Sequence, residues 1–383
     1  MNIRIVFYLA ILISFFSCDT RKIKINREDN FELVEYIDPD KWISTSRLEL
    51  IKELEITRYQ DSLFLGEMVD LLIDREGSIL IVERENSQIH KYSSNGTYIS
   101  SLGREGRGPC ECIHPGPIFF YDSLYYLLSQ VPPKLISFDI NLNCMGDVNL
   151  QNSLFWVYRN INNTPSFFLT HERIRDRYDG YARTFNSFND LSFILDSVIT
   201  IEHKNKDVTN QNLRIVNYDT PKEYVIADDG KLWLNETTEY KIDLYKEKHI
   251  VRSIVINYPL EKYSADELKT YKETIEETRG RNVILQAGLQ IKTGVLPEYH
   301  KAIKRIINFN DQIWVFLRKK MIDNNFTIHI YNINGELSKI ISVSNADIYE
   351  ARLFALKEGY LYVMGENNFD YSLSKYRMNF IKK

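Results

Sequence analysis

Short apolar segments separated by turn residues run along most of the chain. In the first clear unit a polar turn at residues 74–78 precedes an apolar segment at 79–82. A second segment at 88–92, an Asn-Gly turn and a third segment at 97–102 follow. Asn-Gly tolerates positive φ and is typical of tight hairpin turns. Short strands with closely spaced turns predict an antiparallel meander.

The unit of turn, aromatic or aliphatic strand, gap and second strand recurs along the chain. Later copies begin near residues 122, 228, 310 and 357. Repeated units of about four short strands are typical of propeller blades. We therefore predict an all-β fold, a six-bladed β-propeller of four-stranded antiparallel blades over residues 41–383. An irregular β-sandwich is the alternative.

Ring closure is predicted from the two ends of this region. The segment at residues 48–56 lies before the first full unit. A closed ring removes exposed sheet edges, which otherwise promote aggregation. We expect this segment to pair with the C-terminal strands around residues 371–380.

One segment, within an insertion at about residues 259–300, has helical rather than strand periodicity. Ser264 and Glu267 have the spacing of a capping box, in which each side chain satisfies the other residue's free backbone N–H. The apolar residues that follow share one helical face, and Gly280 ends the pattern. The pattern predicts a helix over 265–279 between two late blades. Insertions of this kind in a propeller lie on one face, often the binding face.

The N-terminus has the features of a secretory signal. Arg4 precedes an uncharged run from residue 5 to residue 16, which is too short to span a bilayer. Ser17 and Cys18 follow and resemble the cleavage site of a bacterial lipoprotein, with Phe15 and Phe16 departing from the usual preceding residues. We predict a signal peptide at 1–17, lipidation of Cys18 and a solvated tether at 18–40. Plain secretion and an uncleaved anchor are the alternatives.

The net charge of the chain indicates which kinds of partner it can bind. The formal net charge is −4 and the pI about 6.1, so no basic excess is present to neutralise phosphates. Nucleic acid is therefore not expected as a partner. The expected location is the cell envelope, lipid-anchored to a membrane, with an unknown protein, peptide or glycan as ligand.

The segment from Gly66 to Gly108 resembles six-bladed β-propeller lipoproteins of Gram-negative bacteria, which are related to NHL-repeat propellers. Their glycine-rich motif is matched here by Gly103, Gly106, Gly108, Pro109 and Glu111. The segment at residues 296–299 also resembles the one that follows their helical insertion. The resemblance implies the fold and says nothing about the ligand.

Cysteine and histidine alternate at the end of this motif, at Cys110, Cys112 and His114. By the resemblance, Cys110 replaces a glycine and Cys112 replaces a buried aromatic residue. Three interpretations stay open: packed thiols, a disulfide with Cys144, and a thiolate-imidazole metal site. The first is favoured, because Cys-x-Cys is not the usual structural-zinc spacing and free cysteine packs as a small hydrophobe.

Catalytic motifs of the common hydrolase, metalloprotease and nucleotide-binding classes are absent from the sequence. The predicted function is therefore a membrane-tethered binding module without a cofactor or metal. The alternative is a propeller hydrolase or lyase, similar to lactonases, with a metal in the central channel. The candidate contact residues are polar or aromatic residues in predicted loops, where solvated turns are the simpler interpretation: Arg84, Glu85, Asn86, Arg104, Arg107, Glu298 and Tyr299.

Overall fold

The computed structural model describes the chain from residue 23 to residue 381 in segments. They are 23–28, 30–60, 63–121, 123–149, 155–158, 167–174, 180–188, 195–204, 213–216, 223–227, 231–235, 237–246, 249–270, 290–293, 299–318, 325–344, 353–367 and 370–381. The predicted signal peptide, Cys18 and Glu298 lie outside these residues. Within these segments, no helix combines the length and apolar character needed to cross a membrane.

Nearly all described residues lie in or between β-strands. The strands are β1 (Ile23–Glu28), β2 (Phe31–Tyr36), β3 (Thr45–Ile56), β4 (Arg58–Gln60), β5 (Leu63–Phe64), β6 (Met68–Ile73), β7 (Ile79–Glu83), β8 (Gln88–Tyr92), β9 (Tyr98–Leu102), β10 (Ile113–Tyr121), β11 (Leu124–Val131), β12 (Pro133–Phe138), β13 (Cys144–Asn149), β14 (Phe155–Tyr158), β15 (Phe167–Ile174), β16 (Gly180–Phe188), β17 (Leu195–Lys204), β18 (Leu213–Val216), β19 (Glu223–Ile226), β20 (Leu232–Asn235), β21 (Lys241–Lys246), β22 (His249–Ile256), β23 (Gln290–Thr293), β24 (Ile303–Phe309), β25 (Gln312–Leu317), β26 (Asn325–Asn332), β27 (Leu337–Ser344), β28 (Leu353–Lys357), β29 (Tyr360–Asn367) and β30 (Asp370–Ile381). A short 3-10 helix spans Pro39–Lys41.

The described strands form six four-stranded antiparallel blades. Blades 1 to 5 are β6–β9, β10–β13, β14–β17, β19–β22 and β24–β27, and blade 6 combines β28–β30 with β3. The first strands of the blades contact one another in the order β14, β10, β6, β28, β24, β19, as the inner strands of a ring do. The prediction of a six-bladed β-propeller is confirmed. Two short pairs, β4 with β5 and β18 with β23, lie outside the blades.

Strand β3 closes the ring in the predicted way. It runs antiparallel to β30, with Leu48 opposite Phe380 and Ile56 opposite Leu373. The N-terminal end of the same strand also pairs in parallel with β27, the outer strand of blade 5. Blades 5 and 6 therefore share one continuous eight-stranded sheet.

The boundary between tether and propeller differs from the prediction. Residues 23–28 and 31–36, assigned to the tether, pair as β1 and β2, and β2 pairs in parallel with β22 of blade 4. Polar residues dominate β1 because all of it is exposed, and its cations pair with acids across the hairpin, Lys24 with Glu35 and Arg27 with Glu32. Such a strand has no apolar periodicity that would distinguish it from a tether in sequence.

The core lies between neighbouring blades rather than in one central cluster. One described cluster packs Leu80, Val82 and Ile89 of blade 1 against Ile118 and Leu127 of blade 2. Burial of each such side chain contributes about 1.5–3 kcal/mol. Because both faces of a blade pack against neighbours, the middle strands are almost continuously apolar, as in β7.

The start of the predicted insertion is confirmed. Residues 265–270 are helical. The Ser264 N–H donates to Glu267 Oε2 at 2.8 Å, and the Glu267 N–H donates to Ser264 Oγ at 3.2 Å. These two bonds are the expected capping box. The rest of the predicted helix lies outside the described residues.

The role of β3 predicts the effect of N-terminal truncation. A chain beginning at residue 58 lacks the outer strand of blade 6, and we expect it to lose cooperative thermal unfolding. A chain beginning at residue 30 lacks only the exposed strand β1, and its melting temperature should stay within a few degrees of the parent's. Circular dichroism melts of the three chains test this. Equal melting temperatures for all three would show that β3 does not close the ring.

Candidate functional site

All candidate residues that the structure describes lie on one face of the ring. The first strands of the blades run in the same direction, so connections from second to third strand and from fourth strand to the next blade meet at one face. We call this the loop face. It carries the β7–β8 turn at 84–87, the β9–β10 loop at 103–112 and the two described ends of the β22–β24 connection, at 257–270 and 299–302.

The loop-face candidates form two separate groups. Arg84, Glu85, Asn86, Arg104 and Arg107 lie at blades 1 and 2, whereas Tyr299 lies between blades 4 and 5. Blades 5 and 6 separate the groups on one side of the ring. The structure therefore does not bring Tyr299 together with the arginines.

A buried carboxylate, Glu83, organises the first group. Its Oε2 lies 2.7 Å from His90 Nε2, and neither side chain has solvent exposure. Asn86 Nδ2 donates to the other Glu83 oxygen at 2.5 Å, and the Gly66 backbone N–H also donates to the Glu83 carboxylate. Burial raises the pKa of Glu83, but these hydrogen bonds and the nearby imidazole outweigh burial and hold it below the ordinary value.

The hydrogen-bond chain continues outward from His90. His90 Nδ1 lies 2.6 Å from Ser101 Oγ, which lies 2.7 Å from Tyr98 Oη. An ionised carboxylate only accepts, so His90 Nε2–H donates to Glu83. This series of hydrogen bonds crosses three strands of blade 1 and satisfies polar side chains on the packed face of the blade.

The β7–β8 turn is fixed to the segment before β6. The Arg84 N–H donates to Glu67 O at 2.8 Å, and Arg84 Nη1 bonds both Glu67 carboxylate oxygens at 3.0 and 3.2 Å. Arg84 Nη1 and Asn86 Nδ2 thus serve contacts inside the protein, and Glu85 is exposed. Part of the predicted contact group is structural.

The cysteines of the β9–β10 loop have different states. Cys110 forms a disulfide with Cys144, whereas Cys112 is free and 1% exposed. The favoured interpretation of packed thiols is therefore corrected for Cys110 and Cys144 and confirmed for Cys112. Burial raises the pKa of Cys112 to about 11. A thiol of this kind is a packing group rather than a nucleophile.

The backbone accounts for both substitutions that the resemblance identified. Cys110 has φ 59°, a left-handed conformation that glycine adopts easily, and Cys112 occupies a buried apolar position. Gly103 has φ 127°, and a Cβ there would lie 2.3 Å from Ser87 O. The absence of a Cβ at Gly103 therefore allows the loop to lie close to the β7–β8 turn.

A buried lysine fixes the other side of the loop. Lys134, 2% exposed, donates at 2.6 Å to both Gly108 O and Asp147 Oδ2. The same Asp147 oxygen accepts the Cys110 N–H at 2.9 Å. The hydrogen bond from Lys134 is the main cause that holds the pKa of Asp147 below its usual value. The loop is thus bound to blade 2 by an ion pair and a disulfide.

The loop presents two arginines to solvent. The Arg104 side chain is 83% exposed and lies 3.4 Å from Glu111, whose other oxygen accepts the Gly108 N–H. Arg107 is also exposed, and among the described residues no carboxylate lies within ion-pair distance of it. The result is a loop fixed by buried contacts that carries two exposed cationic side chains.

The second group surrounds His300 beside Tyr299. Backbone bridging joins Tyr299 to Lys262, and the Tyr263 and His300 rings are 3.6 Å apart. His300 Nε2 lies 3.2 Å from Glu267 of the capping box. Burial and then nearby Arg318 lower the pKa of His300, more than Glu267 raises it.

Sequence reasoning missed Glu83, His90 and Lys134. Each is a polar residue within or beside an apolar strand segment, and such residues need buried partners. That signal marks a buried network without revealing which strands meet. In the described part of the chain, no group of three or more His, Cys, Asp or Glu side chains is arranged to hold a metal ion.

No protein-family model and no curated protein matches the sequence. Solved structures do match. A predicted exported protein from Bacteroides fragilis is 13% identical with a TM-score of 0.51, covering 91% of this chain and 100% of its own. A DUF4221 family member from Bacteroides vulgatus is 10% identical with a TM-score of 0.52, covering 88% and 99%. Virginiamycin B lyase from Staphylococcus aureus is 10% identical with a TM-score of 0.46, covering 86% and 99%. The first two likenesses show a shared fold over most of the chain.

The lowered pKa of Glu83 predicts a pH-dependent contribution to stability. Glu83→Gln removes charge-assisted hydrogen bonds worth about 1.5–3 kcal/mol. The folded pKa lies below the ordinary value of 4.5, so this contribution is fully present above pH 4.5 and is lost as pH falls through the folded pKa. Denaturant unfolding at several pH values should show a parent–variant difference that is greatest at neutral pH and shrinks in acid. Glu85→Gln, in the same turn but exposed, is the control and should change little. A pH-independent difference for Glu83→Gln would contradict this assignment.

The disulfide predicts a thiol count and a loss of stability. A chain from residue 19 has three cysteines, so after unfolding without reductant one thiol should react with Ellman's reagent, and after reduction three. The double variant Cys110→Ser and Cys144→Ser should lose about 3–4 kcal/mol, because the bond closes a loop of 34 residues. Cys112→Ala keeps the crosslink and should cost less. Three reactive thiols before reduction would rule the disulfide out.

Proposed function

We propose that the protein is an extracytoplasmic, lipid-anchored β-propeller that binds a ligand through its loop face at blades 1 and 2. The observation that carries this proposal is the pair of loops at 84–87 and 103–112. Both are fixed by buried polar contacts, yet they present Glu85, Arg104 and Arg107 to solvent. A rigid surface loses less conformational entropy on binding than a flexible one.

The extracytoplasmic location is supported by three observations of different kinds. The N-terminal sequence has the features of a lipoprotein signal ending at Cys18. The Cys110–Cys144 disulfide suits an oxidising compartment. The Bacteroides fragilis protein of similar structure is predicted to be exported.

The exposed side chains suggest which groups a ligand carries. Arg104 and Arg107 flank Gly106 on the outside of the loop. A guanidinium group presents several N–H donors in a plane and binds carboxylates well. A protein, peptide or glycan with acidic groups fits this surface better than a neutral one.

Binding is tested with an array of glycans and a library of acidic peptides. For ligands that the parent chain retains, the double variant Arg104→Ala and Arg107→Ala should weaken affinity at least about tenfold, or about 1.4 kcal/mol. Arg27→Ala is the control, because this arginine is 76% exposed on β1, in a different part of the molecule. If the arginine double variant and Arg27→Ala lose the same affinity, or if neither loses any, the ligand binds elsewhere on the molecule. Turnover of a lactone or ester that is abolished by chelation would replace the binding proposal with the enzyme alternative.

Lipidation is tested independently in a bacterial host that acylates lipoproteins. The parent chain should incorporate labelled fatty acid and sediment with membranes, and Cys18→Ala should do neither. Two or more acyl chains give stable membrane attachment, since each buried CH₂ contributes about 0.8 kcal/mol. Undiminished labelling of Cys18→Ala would contradict acylation at this residue.

A further inference from the structure

We propose that the β1 edge of blade 4 faces the membrane and that blade 1, with its arginine loop, lies on the far side of the ring. This inference rests on the lipid attachment at Cys18 proposed above. In place of a flexible tether, a short connection would join the lipid to the β1 edge. The lipid bilayer is what this edge would contact.

The connection is short because the folded structure begins early in the chain. Only four residues, 19–22, separate Cys18 from Ile23, where β1 begins. Five fully extended steps span at most about 17 Å. A lipid at Cys18 therefore holds the start of β1 close to the headgroups, whatever conformation the connection adopts.

The hairpin that receives this connection is part of the propeller. Every residue of β1 pairs with β2, and β2 pairs with β22 over five positions. Val34 and Tyr36 are buried between blades 4 and 5, and the Leu337 N–H donates to Tyr36 Oη at 2.9 Å. An ion pair between Arg252 and Glu32 adds a further contact. Blade 4 cannot move away from the membrane without unfolding these contacts.

The chemistry of β1 suits a surface close to a bilayer. Ile23 and Ile25 lie on the same side of the strand, and Ile25 is 47% exposed. Lys24 and Arg27 are neutralised by Glu35 and Glu32, so the surface offers apolar groups without a strong charge of either sign. Among the described strands, β1 also has one edge without a neighbour. Lipid headgroups and interfacial water can satisfy its backbone groups.

The ring determines what faces away from the bilayer. From blade 4 the inner strands pass through blades 5 and 6 before reaching blade 1. In a six-bladed ring blade 1 is therefore opposite blade 4. Ile99 marks this far side: it is an exposed isoleucine of β9, the outer strand of blade 1, and 53% exposed. It provides a matched control for Ile25.

The experiment measures distance to the membrane in the full lipidated chain. Ile25→Cys and Ile99→Cys are labelled separately with a thiol-reactive donor, since Cys112 is buried and the other described cysteines are crosslinked. Each protein is reconstituted into phosphatidylcholine vesicles containing an acceptor-labelled lipid. Energy transfer should be at least about twofold greater from position 25, given a connection of about 17 Å. Inserting a twenty-residue Gly-Ser segment after residue 20 should retain the protein on vesicles and abolish the difference.

The outcomes separate this inference from the lipidation on which it rests. Failure to float with vesicles, together with absent fatty-acid labelling, contradicts lipidation. Flotation with equal transfer from both positions overturns the orientation alone. A difference that persists with the long insert overturns the claim that the short connection sets the orientation. A further measurement mixes copies that carry a donor at position 25 with copies that carry an acceptor there. Energy transfer between such copies would show that two β1 edges pair with each other, and would also overturn the proposal.

Discussion

Ring closure by β3 is the interaction on which the rest of the structure depends. A propeller blade buries both faces only if it has a neighbour on each side, so an open ring leaves apolar blade faces in water. Here the chain meets this constraint by placing β3 antiparallel to β30, as the outer strand of blade 6. The same strand pairs in parallel with β27, and the preceding β2 pairs with β22. The N-terminal segment thus joins blades 4, 5 and 6 from outside.

The rigidity of the loop face follows from buried polar groups within and between the blades. Glu83 joins the β7–β8 turn to the segment before β6, and Lys134 joins the β9–β10 loop to blade 2. A buried charge is costly unless it is paired and hydrogen-bonded. These residues therefore hold their loops in one arrangement. The backbone that carries the exposed arginines is thus held in place by the contacts of other residues.

Under the proposed lipidation of Cys18, the same N-terminal segment would also set the orientation of the propeller at the membrane. Because the hairpin begins only five residues after Cys18 and is packed on blade 4, the position of an anchor there becomes a property of the whole ring. A ligand surface at blade 1 would then be displayed away from the bilayer. Ring closure, which the structure shows, and the proposed orientation would then both depend on the N-terminal segment.

The repeated units, the all-β class and the strand pair that closes the ring could all be predicted from local patterns in the sequence. Period-two patterns, Asn-Gly turns and the Ser264–Glu267 capping box are local signals, and the pairing of residues 48–56 with 371–380 followed from the need to close a ring. Strand β1 was not predicted, because it buries no side chains and its sequence therefore lacks the alternation of apolar and polar residues that indicates a strand. Three features became known from the folded chain alone: the Cys110–Cys144 disulfide, the contacts of Glu83 with His90 and Gly66, and the separation of Tyr299 from the arginines. These are contacts between segments far apart in the chain or on different strands. Their geometry depends on register and on how the blades pack, and neither is encoded in the residues of any one segment.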